Sequence, residues 1–299
     1  MNKLEVADEV ITKKDLDEIK FDEKYFGNWT KNLDEIKEKF KNAKPYSHVI
    51  LDNFLNDDIA NNLSDTFPKP NKDWWHFHNP IEEKFIYDKF NLLDEDFRKY
   101  FLMVSKPEFV DIMRNLSGIE NLEIDPFFHG GGLHSHPPGG KLNMHLDYSI
   151  NPKSGKERRI NIIYFLNKEW KEEWGGITEL WSTDMKSCKK KLCPGFNRAL
   201  LFITYDESWH GLPGYIKCPE GFSRNSLAIY YVAEPRPNVI LRPKAQFVIR
   251  PQDPYDERMQ KFLDIRPFRR ITQKDLDEIW PNWEKESRAM YDTESILDE

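Results

Sequence analysis

The chain has 299 residues, a formal net charge of −7 at pH 7 and 32% charged residues. This length allows one large domain with extended ends, or two small domains, and a substantial buried core. Lys and Arg are spread along the chain rather than clustered. Nucleic acid and anionic membranes are therefore not expected as main partners, because either would favour a basic face.

Location is predicted from charge, hydropathy and cysteine content. The first nine residues contain Lys3, Glu5, Asp8 and Glu9, so charge interrupts any signal-peptide core. The longest apolar stretches are far shorter than a membrane span. The three cysteines form no obvious disulfide framework, which fits a reducing compartment. We therefore expect a soluble, cytoplasmic protein.

The first part of the chain is predicted to be helical. Residues 1–44 are rich in Lys, Glu and Asp, and Leu33, Ile36 and Phe40 recur at helical spacing. We interpret this segment as an N-terminal helical extension. After Pro45, residues 47–55 are typical of a short strand, and a helix is predicted near 57–67. A globular domain is thus expected to begin at about residue 45.

Helical patterns continue over 94–104 and 107–116, and the period then changes to short apolar runs separated by Gly, Pro and Asn. Many short strands favour a double-sheet jelly roll over a parallel α/β sheet, which would need a helix between strands. The predicted strands are 122–128, 142–148, 159–166, 177–181, 199–204 and 226–232.

The predicted fold class is therefore mainly β with flanking helices. The globular domain is expected to span 45–232, with its β core at about 122–232. After Pro235, helical patterns cover 254–265 and 273–290, so residues 233–299 are interpreted as a C-terminal helical extension.

One group of residues indicates a metal site. His145 and Asp147 are two apart on a predicted strand, so their side chains point to the same side. His210 follows 63 residues after Asp147 and could supply a second imidazole. Two histidines and one carboxylate on one face of an octahedron are the facial triad of non-haem Fe(II) oxygenases. The tripeptide alone is weak evidence, but its place on a strand, the later histidine and an arginine opening the last apolar strand strengthen it.

Three other motifs in the sequence suggest other sites. His129-Gly130-Gly131-Gly132 and the segment around Ser223 suggest a hydrolase, but the nucleophile elbow lacks its last glycine and no histidine follows His210. Cys188 and Cys193 could be half a zinc site, although a hairpin loop fits them better. The aromatic run 74–78 could cover a pocket mouth or form a satellite hydrophobic cluster, with His76 and His78 interpreted as solvated.

A longer pattern carries a family resemblance. Its elements are Gly139 to Asp147, Tyr164-Phe165-Leu166-Asn167-Lys168-Glu169-Trp170, Gly175-Gly176, Phe196-Asn197-Arg198, His210-Gly211-Leu212-Pro213 and Arg224 to Tyr231. Together they resemble the 2-oxoglutarate- and Fe(II)-dependent oxygenases, with the greatest likeness to the prolyl-hydroxylase-like branch. The resemblance runs from about 45 to 232 and is specific over 130–232. It implies a double-stranded β-helix core of the jelly-roll or cupin-like type.

The resemblance also implies roles for single residues. His145, Asp147 and His210 match the family's iron ligands, and Arg224 matches the residue that pairs with the far carboxylate of 2-oxoglutarate. The planar fork of Arg donates two parallel hydrogen bonds to a carboxylate. Three protein ligands leave two positions on Fe(II) for the cosubstrate and one for O2. Ascorbate is expected only from family habit, as a reductant that rescues oxidised iron.

The chain departs from the family at one position. A tyrosine that helps the arginine hold the cosubstrate is Phe165 here, so another polar group must substitute. His136 is the candidate, with His134 a weaker one, because their spacing matches a cosubstrate-binding strand of AlkB-like relatives. Alternation predicts that further side chains face the same pocket or simply pack there: Asn143, Asn161, Ile163, Ser226 and Tyr230. Tyr164, Ile229 and Tyr231 are expected in the core between the sheets.

The function implied is hydroxylation of an unactivated C–H bond with release of succinate and CO2. The substrate stays open, because the iron and cosubstrate strands do not determine what is oxidised. A peptidyl proline is favoured by the resemblance, and a free amino acid, a sugar or another small metabolite is the alternative. A non-catalytic metal-binding jelly roll is a third interpretation. The sequence does not determine the oligomeric state or the role of the extensions.

Overall fold

The computed structural model describes residues 10–292, so residues 1–9 and 293–299 of the predicted extensions lie outside the described part. The α-helices are α1 (Lys13–Glu18), α2 (Leu33–Asn42), α3 (Asp57–Asp65), α4 (Glu95–Ser105), α5 (Pro107–Ser117), α6 (Glu257–Ile265), α7 (Gln273–Ile279) and α8 (Trp283–Asp292). Short 3-10 helices lie at Glu23–Tyr25, Asn28–Asn32, Phe90–Leu92 and Glu172–Trp174.

Thirteen described strands join one curled antiparallel sheet. They are β1 (His48–Asp52), β2 (Trp75–Asn79), β3 (Glu82–Tyr87), β4 (Glu123–Ile124), β5 (Gly132–His136), β6 (Lys141–Leu146), β7 (Glu157–Leu166), β8 (Thr178–Trp181), β9 (Cys188–Leu192), β10 (Phe196–Ile203), β11 (His210–Leu212), β12 (Arg224–Ala233) and β13 (Gln246–Phe247). Their order is β1-β10-β7-β12-β5-β3-β6-β11-β8-β9, with β13 on β6, β2 on β3 and β4 on β12. The predicted β-helix core with flanking helices is confirmed.

The centre of the sheet is formed by β7 and β12, which pair over almost their full length. Both are rich in β-branched and aromatic residues, which suit a pleated surface buried on both faces. On one face, Tyr164, Ile229 and Tyr231 join the main hydrophobic core, as predicted. The opposite face lines a cavity, so each strand supplies a packed side and a polar side.

The predicted N-terminal helical segment packs on this core. Ile36 and Phe40 of α2 are buried, in agreement with their helical spacing. Helices α4 and α5 cover the packed side of the sheet, and the Tyr231 hydroxyl donates to the Val104 carbonyl oxygen at 2.6 Å. These helices therefore support the strands from behind and leave the polar side of the sheet open.

Several local predictions were wrong. The predicted strand 122–128 is a strand only at Glu123–Ile124, because the Asp125 carboxylate accepts from the backbone of Phe127 and His129 and holds a turn. The predicted loop near Cys188 is strand β9, paired with β8. The predicted helix 273–290 is two helices, since Pro281 follows α7. The β2–β3 hairpin was not predicted.

The segment after residue 233 contributes a strand to the sheet and helices to a second hydrophobic cluster. Strand β13 pairs with β6, and a second hydrophobic cluster joins α6–α8 to the β2–β3 hairpin: Ile81, Phe247, Met259, Phe262, Leu263, Leu276, Trp280 and Trp283. Arg266 of this segment donates to Glu82 of β3 at 2.6 Å. The C-terminal segment thus closes one wall of the cavity. None of the helices in the described part of the chain has the length and apolar character needed to cross a membrane.

Candidate metal centre and cosubstrate pocket

The structure brings His145, Asp147 and His210 together. His145 on β6 lies opposite His210 on β11 in the antiparallel register, and Asp147 directly follows β6. The Asp147 carboxylate oxygens lie 3.8 Å from Nε2 of His145 and 3.9 Å from Nε2 of His210. Two donors of one ion can lie up to about 4.2 Å apart when each bond is about 2.1 Å. The three side chains therefore fit one divalent ion.

The backbone fixes the direction of both imidazoles. Nδ1 of His145 lies 2.9 Å from the Asn143 carbonyl oxygen, and Nδ1 of His210 lies 2.9 Å from that of Ser208. A carbonyl oxygen only accepts, so each Nδ1 carries the proton and each Nε2 presents a lone pair. Such outer hydrogen bonds orient metal-binding histidines.

Burial and neighbouring charge set the protonation of this group. Burial, together with the neighbouring His210, lowers the pKa of His145 to about 3. Burial would raise the pKa of Asp147, but Arg158 and the two imidazoles outweigh burial and hold it below its ordinary value. Neutral imidazoles beside a carboxylate are the protonation states that metal binding requires.

Further side chains hold the triad in place. Phe247 of β13 lies nearly parallel to the His145 ring at 5.0 Å, and Phe202 meets the His210 ring edge-on at 4.7 Å. Arg158 lies 3.6 Å from Asp147 and is stacked between the rings of Tyr148 and Tyr230. The ligands are therefore enclosed by aromatic walls and one guanidinium.

Arg224 lies in the same cavity at the start of β12. Its Nε donates to the Gly176 carbonyl oxygen at 2.8 Å, and another guanidinium nitrogen donates to the Thr178 hydroxyl at 2.7 Å. The residue is 2% exposed, and burial lowers its pKa to about 9. Among the side chains of residues 10–288, no carboxylate forms an ion pair with it. A buried cation without a counterion is costly, so an anionic group fits this position.

His136 lies opposite Arg224 in the β5–β12 register. It is 2% exposed, and neither ring nitrogen has a hydrogen-bond partner in the described part of the chain. Burial and the Arg224 charge hold its pKa well below the ordinary value, so the ring is neutral and can donate one hydrogen bond. Nε2 of His134 is likewise buried without a partner. Phe165 lies 4.9 Å from the Arg224 guanidinium and offers no polar atom.

The cavity that joins these groups has a volume of about 200 Å³. The predicted residues Asn161, Ile163, Ser226 and Tyr230 line it, whereas Asn143 does not. The aromatic run 74–78 reaches the cavity through Trp75 and Phe77, in agreement with one of its two interpretations. Sequence reasoning missed the following lining residues: Lys84, Arg158, Thr178, Lys244, Phe247, Arg266 and Arg270. The adjacent Arg158 and Arg159 at the start of an apolar strand were a usable signal, because buried arginines have a function or a partner.

A family comparison agrees with this geometry. Residues 131–232 match the model of the 2OG-Fe(II) oxygenase superfamily, and this range contains the triad and Arg224. Residues 131–232 are thus identified as a 2OG-Fe(II) oxygenase domain. This domain indicates a 2-oxoglutarate-dependent dioxygenase. No curated protein sequence matches this chain.

Several solved structures are similar to this chain, and one of them reaches a TM-score of 0.50. A prolyl hydroxylase from Trichoplax adhaerens, in complex with a peptide fragment of hypoxia inducible factor, is 17% identical with a TM-score of 0.50. It covers 71% of this chain and 96% of its own. A prolyl 4-hydroxylase from Phytophthora capsici is 19% identical, with a TM-score of 0.47 and coverage of 90% and 78%. HygX from Streptomyces hygroscopicus is 11% identical, with a TM-score of 0.42 and coverage of 68% and 86%.

Proposed function

We propose that this oxygenase hydroxylates an unactivated C–H bond, using Fe(II), O2 and 2-oxoglutarate and releasing succinate and CO2. One observation carries the proposal: a buried His-Asp-His triad lines the same cavity as a buried arginine that has no acidic partner among the described residues. A divalent ion fits the triad, and a dicarboxylate fits the space between that ion and Arg224. In this proposal His145, Asp147 and His210 hold the iron, and Arg224 and His136 hold the cosubstrate.

The chain's own groups then have distinct tasks. Bound iron, with 2-oxoglutarate and dioxygen, supplies the oxidant for the C–H bond. Arg224 and the Thr178 hydroxyl, already hydrogen-bonded to each other, set the position of the far carboxylate. His136 replaces the hydroxyl that Phe165 lacks. Phe247 and Phe202 exclude water from the side of the two imidazoles.

A peptidyl proline is the first substrate we propose. The support is the fold, which resembles a prolyl hydroxylase at a TM-score of 0.50. The mouth of the cavity also carries Trp75 and Phe77, which are suited to pack against a pyrrolidine ring.

A small anionic metabolite is the second candidate, and a separate observation favours it. Lys244 and Arg270 line the cavity, and neither forms an ion pair with an acidic side chain in the described residues. Burial, together with the charges of Arg158, Lys244 and Arg270, lowers the pKa of the nearby His129 to about 4. This side of the cavity is therefore positive, which favours a carboxylate or phosphate on the substrate.

Other expectations stay predictions. Ascorbate is proposed as a reductant on family habit, and the cytoplasm is proposed on the composition and cysteine content. The predicted domain limits, 1–44, 45–232 and 233–299, are proposed as functional units. In the structure, β13 of the last unit nevertheless forms part of the sheet.

The test is succinate formation from 2-oxoglutarate in air with added Fe(II), in the presence of proline-containing peptides or pooled anionic and neutral metabolites. We expect turnover that one pool stimulates, which also identifies the substrate class. If the folded chain forms no succinate with any pool and does not bind Fe(II) and 2-oxoglutarate, it is a non-catalytic jelly roll and the proposal fails.

A further inference from the structure

A second group of metal-binding side chains lies on the β2–β3 hairpin, outside the cavity. His76 and His78 are two apart on β2, so they share one face of the strand. Glu83 of β3 lies directly opposite His78 in the register. Potential donor atoms of these three residues all lie within 4.8 Å of one another.

The carboxylate of Glu83 is the centre of this group. Its oxygens meet Nε2 of His76 at 2.8 Å and Nδ1 of His78 at shorter range. The Glu83 side chain is 7% exposed, whereas those of His76 and His78 are 43% and 34% exposed. In the described residues no Lys or Arg forms an ion pair with Glu83. The buried charge is therefore balanced only by an imidazolium or by a bound cation.

The second ring nitrogen of His78 contacts a different carboxylate, that of Glu284. Nε2 of His78 lies 3.2 Å from a carboxylate oxygen of Glu284 on α8, and the ring packs edge-on against Trp283 at 4.9 Å. A histidine with one nitrogen towards a metal and the other donating to a carboxylate is the usual outer arrangement of zinc sites. Glu284 thus supplies an orienting group that a solvated histidine would not need.

An ion can enter the group if both imidazoles move away from the carboxylate. Two donors on a tetrahedral Zn²⁺ with bonds of about 2.0–2.1 Å lie about 3.3 Å apart. The pair His76–Glu83 is 2.8 Å apart and must open by about half an ångström, and the pair His78–Glu83 is closer and must open further. Both histidines lie on β2, which among the described strands pairs only with β3, so this strand can make the movement. Two imidazoles and one carboxylate suit Zn²⁺, and a water would complete four-coordination.

We propose that His76, His78 and Glu83 form a second metal site that binds Zn²⁺. The ion would brace the β2–β3 hairpin against α8, because Glu284 and Trp283 of that helix hold His78. This site is independent of the proposed oxygenase activity.

The location gives the site a consequence for the cavity. Trp75 and Phe77 alternate with the two histidines on β2, so they project from the other face of the hairpin and line the cavity mouth. Arg270 from the C-terminal segment lies over both rings, at 4.4 Å and 4.8 Å. A metal ion behind this strand would fix the wall formed by these two aromatic rings.

The experiment counts bound Zn²⁺ on the full chain after metal removal and dialysis. The parent is expected to bind two ions, one at the triad and one at the hairpin. Glu83→Gln keeps the size of the side chain and removes its charge, and it should bind one. The double variant His145→Ala/His210→Ala should also bind one, and adding Glu83→Gln to it should leave none. Glu278→Gln is the matched control, since Glu278 is exposed on α7 and pairs with Lys274.

Two further measurements keep the test decisive. Co²⁺ in place of Zn²⁺ should give a spectrum without a thiolate charge-transfer band, which excludes binding by the cysteines. Zn²⁺ should raise the melting temperature of the double variant but not of that variant with Glu83→Gln. The site is disproved if Glu83→Gln in the parent keeps two ions, or if a folded double variant binds none. In the latter case His78 only forms an imidazolium–carboxylate pair.

Discussion

The buried triad and the hairpin cluster use the same donors in different surroundings. Each combines two histidines with one carboxylate, and in each the donor atoms lie within 4.8 Å. In the triad the histidines are 4–5% exposed and both Nδ1 atoms donate to backbone carbonyls. In the hairpin cluster one histidine uses Nδ1 and the other Nε2 towards the carboxylate, and solvent reaches both rings.

This comparison separates metal binding from catalysis. The triad opens into a cavity that also contains Arg224, so a cosubstrate can bind at the ion and at the guanidinium together. In the hairpin, His78 faces α8 and solvent reaches both histidines, and the hairpin's opposite face lines the cavity. The two histidines and one carboxylate therefore predict only that a metal ion can bind. The side chains around them determine whether the bound ion can take part in catalysis.

The largest expected effect comes from removing a triad ligand. His145→Ala should lower succinate formation by more than about 100-fold, since even outer-shell changes at metal sites cost 10–100-fold. His76→Ala removes a histidine from the hairpin cluster and is the matched control. His76 lies behind the wall formed by Trp75 and Phe77, so its loss can change only the KM for the substrate, and kcat at saturating substrate is expected within about twofold of the parent. Equal losses in both variants would show that the two clusters do not differ as described.

A smaller effect is expected at the other end of the cavity. Hydrogen bonds to charged groups contribute about 1.5–3 kcal/mol, so Arg224→Ala should raise the KM for 2-oxoglutarate about 10- to 100-fold. High cosubstrate concentration should recover most of kcat. Arg198→Ala, which removes a partly exposed arginine paired with Asp52, should leave this KM unchanged. An unchanged KM in Arg224→Ala would remove Arg224 from the cosubstrate site.

The stability that Glu82 contributes to the wall between the two clusters should depend on pH. Burial would raise the pKa of Glu82, but Arg266 and Lys84 outweigh burial and lower it to about 2. A carboxyl group with a lowered pKa stabilises the fold above its ordinary value of 4.5, and this stability is lost as the pH falls towards 2. The size is roughly 3 kcal/mol, at 1.36 kcal/mol per pKa unit.

Urea unfolding of Glu82→Gln measures this contribution. At pH 7 the free energy of unfolding should fall by roughly 3 kcal/mol, because Arg266 and Lys84 lose their buried partner. Between pH 4.5 and 2 the variant should lose less stability than the parent. A variant with the parent's full acid sensitivity would show that other carboxylates control this range.

The sequence predicted those parts of the molecule that depend on local pattern. His145 and Asp147 could be placed on one face because their spacing is that of a strand, and the apolar runs predicted β7, β10 and β12. Which distant side chains join them depends on register: the pairing of His145 with His210 is visible only in the folded sheet. The jelly roll itself followed from the number and length of the runs.

Two features were missed for physical reasons. Strand β13 is two residues long, so it has no periodicity, and only its partner β6 makes it a strand. His76 and His78 were interpreted as solvated because their contacts are visible only in the folded chain. The β2–β3 pairing brings Glu83 next to the histidines, and the C-terminal hydrophobic cluster brings α8 next to the hairpin. Short strands and contacts between segments that are distant in the sequence therefore could not be predicted.

The most direct test of the central claim is anaerobic visible spectroscopy of the full chain with Fe(II) and 2-oxoglutarate. Iron held by the triad and chelated by the cosubstrate should give a metal-to-ligand charge-transfer band that is absent in His145→Ala and present in His76→Ala. If the folded parent gives no such band at saturating Fe(II) and 2-oxoglutarate, the triad does not form the proposed iron–cosubstrate site.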